Sequence, residues 1–178
     1  MESQYENSGV ANPEATPEAL CERAWEQFRT FLRQQGHRIT EPRRIVLERA
    51  LLREDHFRAD DLAADLAAGS SRVSRGTVYR TLSLLVEAGM LREIRDSDTH
   101  VHYEPLFGRS HHEHLICDRC KRFLEFTDPA LEAQIARACE RSGFTQRVHH
   151  VTIFGLCAQC AASPENIKPG EGHGRGEL

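Results

Sequence analysis

The chain has 178 residues, 39% of them hydrophobic, with a net charge of −4, which is enough for one or two small domains each with its own core. No run of eighteen apolar residues occurs, and the acidic opening "MESQYENSGVANPEATPE" lacks the basic and apolar regions of a signal peptide, so no membrane partner and a cytoplasmic location are expected. Six cysteines could pair as disulfides, but four of them form two C-x-x-C pairs in a chain with no export signal, which favours metal or redox chemistry.

The first eighteen residues, rich in Glu, Pro, Asn and Ser, read as a disordered arm, and "SPENIKPGEGHGRGEL" (163–178) reads as a second tail. From about Ala19 a helix carries Cys21, Trp25, Phe28 and Leu32 on one stripe and stops at Gly36, which makes Cys21 a core residue. Thr40 is expected to cap the next helix, with Pro42 in its first turn and Ile45, Val46 and Ala50 facing inward. A third short helix follows at "RADDLAADLAA". Ser74 caps a fourth, "SRGTVYRTLSLLVEAG", in which Val78, Leu82 and Leu85 share a face, Gly89 supplies the stop, and Arg75, Tyr79 and Arg80 point outward. "MLREIRDSDTHVHYE" then reads as two short strands around a polar turn.

Helices followed by a β-hairpin make the pattern of a winged helix-turn-helix, which lays its second helix in the major groove so that Arg reaches guanine edges or phosphates. Residues 21–95 are also the one basic stretch, with fourteen arginines against eleven acidic residues. The plainer alternative is a helical domain whose arginines are merely solvated.

The second half differs in kind. "HEHLICDRC" and "KRFLEFTD" read as strands, "DPALEAQIARACERSG" as a helix opened by Asp128 and Pro129, and "FTQRVHHVTIFGLCAQC" as a further strand. Leu131, Ile135 and Ala138 or Cys139 line the inward side of that helix, so Cys139 is expected in the core. The fold class is therefore α+β: an N-terminal winged helix-turn-helix followed by a small α/β domain.

Cys117, Cys120, Cys157 and Cys160 remain. Two C-x-x-C pairs suit a tetrahedral thiolate site, in which each pair wraps one edge of a zinc ion. A pair of disulfides or an iron–sulfur cluster are the alternatives. Such a zinc would contribute folding energy directly.

"SHHEHLICDRC" (110–120) adds three imidazoles and a carboxylate. Side chains alternate along a strand, so His112 and His114 point one way while His111 and Glu113 point the other, and one strand can serve two metal sites. Donors available elsewhere are His56, Glu104 and Glu125 for one site, and Glu132 and His149 for the other. Mixed imidazole and carboxylate ligation suits Fe(II), Mn(II), Co(II) or Zn(II). A zinc protease would need H-E-x-x-H, which "HHEHL" does not provide. A nucleobase deaminase would need a Pro before Cys117 and a wider gap after Glu113, and it would leave the second C-x-x-C without a role. Catalysis on a small organic substrate is not expected.

"GTVYRTLSLLVEAGML", "HHEHLICDRC", "FLEF" and the final "CAQC" together resemble the ferric uptake regulator family of bacterial metal-responsive repressors, across roughly residues 21 to 160. The resemblance implies a homodimer that binds an AT-rich inverted repeat in double-stranded DNA through an N-terminal winged helix, followed by a short hinge and an α/β dimerisation domain. The corresponding boundaries are an arm at 1–18, a DNA-binding domain at 19–95, a hinge at 96–104, a metal-binding dimerisation domain at 105–162 and a tail at 163–178. It implies a regulatory site at His56, Glu104, His112, His114 and Glu125, and an additional site at His111, Glu113, Glu132 and His149. Tyr79 and Arg80 match the family's DNA-contacting positions, Arg75 is a further candidate by geometry, and Arg38 matches a basic position that reaches the minor groove.

Two departures from the family pattern stand out: the loop "PLFGRS" is one residue longer, and Gly76 occupies a position where Ala is common. His100 and His102 alternate in phase with Glu104, and a solvated strand face is expected for them. Peroxide-sensing relatives use aspartate where Glu104 and Glu125 stand, and zinc-sensing relatives usually place a cysteine there, so iron sensing leads. Ligand type does not separate Fe(II) from Mn(II), and peroxide sensing through histidine oxidation stays open. A zinc-dependent enzyme and a zinc-stapled interaction module are the readings from other classes.

Overall fold

The computed structural model describes residues 16–69 and 73–162, so the expected arm (except residues 16–18) and the expected tail lie outside the described residues. The chain divides into two compact units, with the division between Ser110 and His111.

The first unit begins with α1 (Pro17–Gln34), two residues earlier than the apolar stripe suggests, because Thr16 accepts a hydrogen bond from the Ala19 amide and Pro17 takes the first turn. It buries Cys21, Ala24, Trp25, Phe28 and Leu32. α2 (Glu41–Leu51) starts after Thr40, whose side chain makes no capping bond, and buries Val46, Leu47, Ala50 and Leu51. α3 (Ala59–Ala68) contributes Leu62 and Leu66 to the same core. α4 (Arg75–Glu87) is capped by the Ser74 hydroxyl on the Thr77 amide and buries Val78, Thr81, Leu82, Leu84 and Leu85. It ends at Gly89, whose φ of 68° lets the Met90 amide turn back to the Leu85 carbonyl.

β1 (Leu91–Arg95) and β2 (Val101–Pro105) form an antiparallel hairpin with Arg92 opposite Glu104. Phe57 joins as a third, one-residue strand, exchanging two backbone hydrogen bonds with Tyr103 while the two rings stack. Helices packed on a small sheet make this unit a winged helix-turn-helix. Residues 96–104, a hinge by the family resemblance but a turn and strand by the sequence pattern, are the turn and second strand of the wing, and each β2 residue has a ladder partner in β1. The chain leaves the wing only after Gly108, whose φ is 77° and where a side chain would meet Leu20 at 2.6 Å.

The second unit is a three-stranded sheet in the order β4-β3-β5, with β3 spanning Glu113–Cys117, β4 spanning Phe123–Phe126 and β5 spanning Thr152–Gly155. β4 is antiparallel to β3 and β5 is parallel to it. α5 (Pro129–Arg141), capped by Asp128, makes the crossover. The expected long last strand is only four residues, and Ala158–Ala162 form a short helix, α6. Cys139 is half-buried, and α5 has no fully buried residue, which corrects the expectation of a core position. β5 is exposed along its whole length. Among the described residues its apolar side chains Ile153 and Phe154 are left half-exposed.

Candidate metal centres

The parallel pairing of β5 with β3 sets Gly155 opposite Cys117 and so carries Cys157 alongside the first C-x-x-C turn. That turn is closed by the Lys121 amide on the Cys117 carbonyl, with Lys121 at a φ of 60°. Arg119 donates to the Cys160 carbonyl and ties α6 down. All four sulfurs lie within 4.8 Å of one another as free thiols. Cys120 and Cys157 are separated by 3.8 Å, the edge of a tetrahedron with metal–sulfur bonds of about 2.3 Å. Burial raises the Cys117 thiol, but backbone amides from Cys157, Cys120 and Arg119 outweigh it and bring the value down to about 6. Burial and the neighbouring thiols push Cys160 up to about 12. One ready thiolate among four convergent sulfurs fits a structural zinc site, and no pair of them is bonded as a disulfide.

His111, Glu113, Glu132 and His149 also converge. Glu113 Oε1 lies 2.8 Å from His111 Nε2 and 2.9 Å from His149 Nε2, and Glu132 Oε1 lies 3.2 Å from His149 Nε2. Glu113 is fully buried; burial raises its carboxyl, but the Val151 amide and the two imidazoles more than compensate and leave it below the ordinary range. Gln146, which the sequence did not single out, bonds His149 Nδ1 at 2.6 Å and fixes that ring from behind. An amide three residues from a histidine is too common in sequences to have marked it.

The remaining five expected ligands divide between the units. In the first unit, His56 Nε2 stands 3.8 Å from Glu104 Oε2, and both side chains are buried. Arg92, also missed by sequence, holds the same Oε2 through Nη2 at 2.6 Å and Nε at 2.9 Å. In the second unit, His112 Nε2 is 3.8 Å from Glu125 Oε1, and the rings of His112 and His114 are 5.0 Å apart. The expected alternation is present: His112 and His114 lie together, and His111 lies with Glu113. His100 and His102, expected to be solvated, both approach Asp96 Oδ2, at 3.3 and 3.2 Å.

On α4, Arg75, Tyr79 and Arg80 are exposed as expected. Two of them are held together: Asp60 Oδ1 accepts from Arg75 at 2.5 Å and from the Tyr79 hydroxyl, and the Arg75 guanidinium lies over the Tyr79 ring. Arg80 folds back towards Gly76, leaving 3.4 Å to the position a Cβ would take. Arg43 donates to the Arg38 carbonyl, and burial and the positive charge of Arg80 both lower the pKa of its own guanidinium. Arg43 and Arg80 thus add positive charge beside α4's first turn. Among the described residues no helix is long and apolar enough to cross a membrane.

The model of the ferric uptake regulator family matches residues 34–154. The ferric uptake regulation protein of Campylobacter jejuni is 32% identical over 145 residues, covering 80% of this chain and 92% of that one. The peroxide operon regulator of Bacillus subtilis is 31% identical, with 73% and 88% covered. Among solved structures, the ferric uptake regulator of Francisella tularensis with iron superposes with a TM-score of 0.59 at 29% identity, covering 71% of this chain and 96% of that one. That of Helicobacter pylori shares the fold with a TM-score of 0.69 at 22% identity, over 85% and 97%. With a winged helix-turn-helix before a thiolate-bearing α/β unit, and most of its length matched, the chain belongs to the ferric uptake regulator family.

Proposed function

We propose that this protein is a dimeric, metal-activated repressor of transcription in the cytoplasm, and that the ion it senses is Fe(II). The observation that carries the reading is the donor set His56, Glu104, His112, His114 and Glu125. It holds imidazole and carboxylate groups without a thiol, a mixture that suits Fe(II) or Mn(II) better than the soft site of Cys117, Cys120, Cys157 and Cys160, where structural Zn(II) is assigned. His56 and Glu104 belong to the first unit and the other three to the second. A divalent ion taking donors from both would supply the differential affinity that selects one arrangement of the DNA-binding units. His111, Glu113, Glu132 and His149 are assigned to an additional divalent ion.

The exposed Ile153, Phe154 and Leu156 of the β5 segment support a second copy as the cover of the second unit. In the DNA complex, α4 enters the major groove with Tyr79, Arg80 and Arg75 towards the bases and phosphates, and Arg38 reaches the adjacent minor groove. The operator is an AT-rich inverted repeat that matches the two-fold symmetry of the dimer.

The test is anaerobic operator binding by zinc-loaded protein at fixed salt, titrated with Fe(II), Mn(II) and Zn(II). Tight binding that requires Fe(II), and is weakened at least ten-fold by His56→Ala, is the expected result; roughly that loss follows from removing one ligand or its support. Operator binding that ignores metal would assign the donor set a structural role. The likeness to a peroxide operon regulator favours oxidant sensing as a second reading, and loss of binding after peroxide treatment of the iron-loaded protein would establish it.

A further inference from the structure

Glu104, in the first unit, is fully buried, and a buried carboxylate needs a compensating charge. Arg92 supplies it from the directly opposite position of the hairpin, with a side chain only 8% exposed. Both contacting nitrogens of the guanidinium fork go to one oxygen, Oε2. The same oxygen faces His56 Nε2 at 3.8 Å, a separation that two ligands of a common ion would have. The oxygen on the side of the other candidate ligand is therefore the oxygen already held by a fixed cation.

We propose that Arg92 is the internal counter-ion of Glu104: in the metal-free protein it holds Oε2, and by competing for that oxygen and repelling a divalent ion it sets the metal concentration at which the sensor responds. The inference rests on the assignment of Glu104 as a ligand of the sensed ion. A guanidinium is permanently charged, so this competition does not fade with pH in the way a lysine's or histidine's would. A second cation brought close to a buried one, away from bulk water, is opposed more strongly than at the surface. The sequence cost of the device is small, since a strand residue facing Glu104 across a two-stranded ladder is the nearest side chain that can be exchanged.

The experiment is a competition titration of the zinc-loaded full chain with Co(II), read from its visible absorption bands, in a His149→Ala background that removes the additional site. Arg92→Met is expected to bind Co(II) about ten-fold or more tightly, and to shift the Co(II) concentration for half-maximal operator binding down by the same factor. Arg92→Lys keeps the charge but loses the two-nitrogen fork and is expected to fall between wild type and Arg92→Met. Unchanged or weaker Co(II) binding by folded Arg92→Met overturns the proposal, because a residue that only orients Glu104 would lose affinity when removed. Should Arg92→Met not fold, Arg92→Lys decides: tighter binding than wild type supports the counter-ion, while equal or weaker binding overturns it. Glu104→Gln separates the two levels of the argument. If it leaves Co(II) affinity unchanged, Glu104 is not a ligand and both readings fall; if it weakens binding while the Arg92 variants do not tighten it, the counter-ion alone falls.

Discussion

Glu113 shows how one buried side chain can serve stability and ligation together. Its Oε2 accepts the Val151 amide while Oε1 faces two imidazoles, so the ionised form is favoured in the fold and the carboxyl sits below its usual value of 4.5. A depressed folded value contributes stability that is present above the unfolded pKa and lost as pH falls through the folded one. The expected outcome is a thermal midpoint for wild type that exceeds that of Glu113→Gln at pH 6, with the gap narrowing steadily below about pH 4.5. Parallel curves across that range, measured by circular dichroism without added divalent metal, would show that Glu113 contributes no linkage. Residues such as Arg92 and Gln146 act through another side chain, and this is why spacing rules pass over them: the signal of Arg92 lies in its register with Glu104, which exists only once the hairpin is aligned.

At the scale of elements, what the sequence made legible were the features with local causes. Ser74 and Asp128 cap α4 and α5 at the expected positions, Gly89 ends α4, and the apolar stripes of α1 and α4 face inward as their spacing requires. The differences arise where tertiary pairing decides. Residues 96–104 match the hinge that the family resemblance implies, yet, as the strand pattern suggests, they are the turn and second strand of the wing, paired with β1. The segment 144–150 carries β-branched and aromatic residues but has no ladder partner among the described residues, so the last strand shrinks to Thr152–Gly155. Periodicity likewise gave α5 an inward side without revealing how little one chain would cover it. The half-exposed Ile153 and Phe154 carry the corresponding prediction. Ile153→Glu places a charge on that face and is expected to shift the protein from dimer to monomer in sedimentation velocity at micromolar concentration while the first unit keeps its helical signal. A dimer of unchanged strength would locate the subunit contact elsewhere.

At the scale of the whole molecule, the two units are stabilised by different means. The first has a continuous core that includes Phe28, Leu32, Leu47, Leu62, Leu82 and Leu85. In the second, the buried cluster consists of Cys117, Cys120 and Cys160 with Cys157 packed against them, so the ion those thiols fit takes the place of an apolar centre. Removing it with a strong chelator is expected to make residues beyond about 110 sensitive to trypsin while a fragment ending near Arg109 survives. Equal resistance of both units after complete metal removal would mean that the sheet is stable on its apolar contacts alone.

The order of the cysteines along the chain also has a consequence for synthesis. The first unit is complete once residue 110 has been made, and it can fold while the ribosome continues. The second cannot close until Cys160 has been added, because its central strand β3 waits for β5 and its first two thiols wait for the last two. At about 5–20 residues per second the intervening stretch takes on the order of several seconds. During that interval the thiols of Cys117 and Cys120 are open to whatever oxidant or metal the cell presents, so zinc present during synthesis is expected to raise the fraction of new chains whose second unit closes.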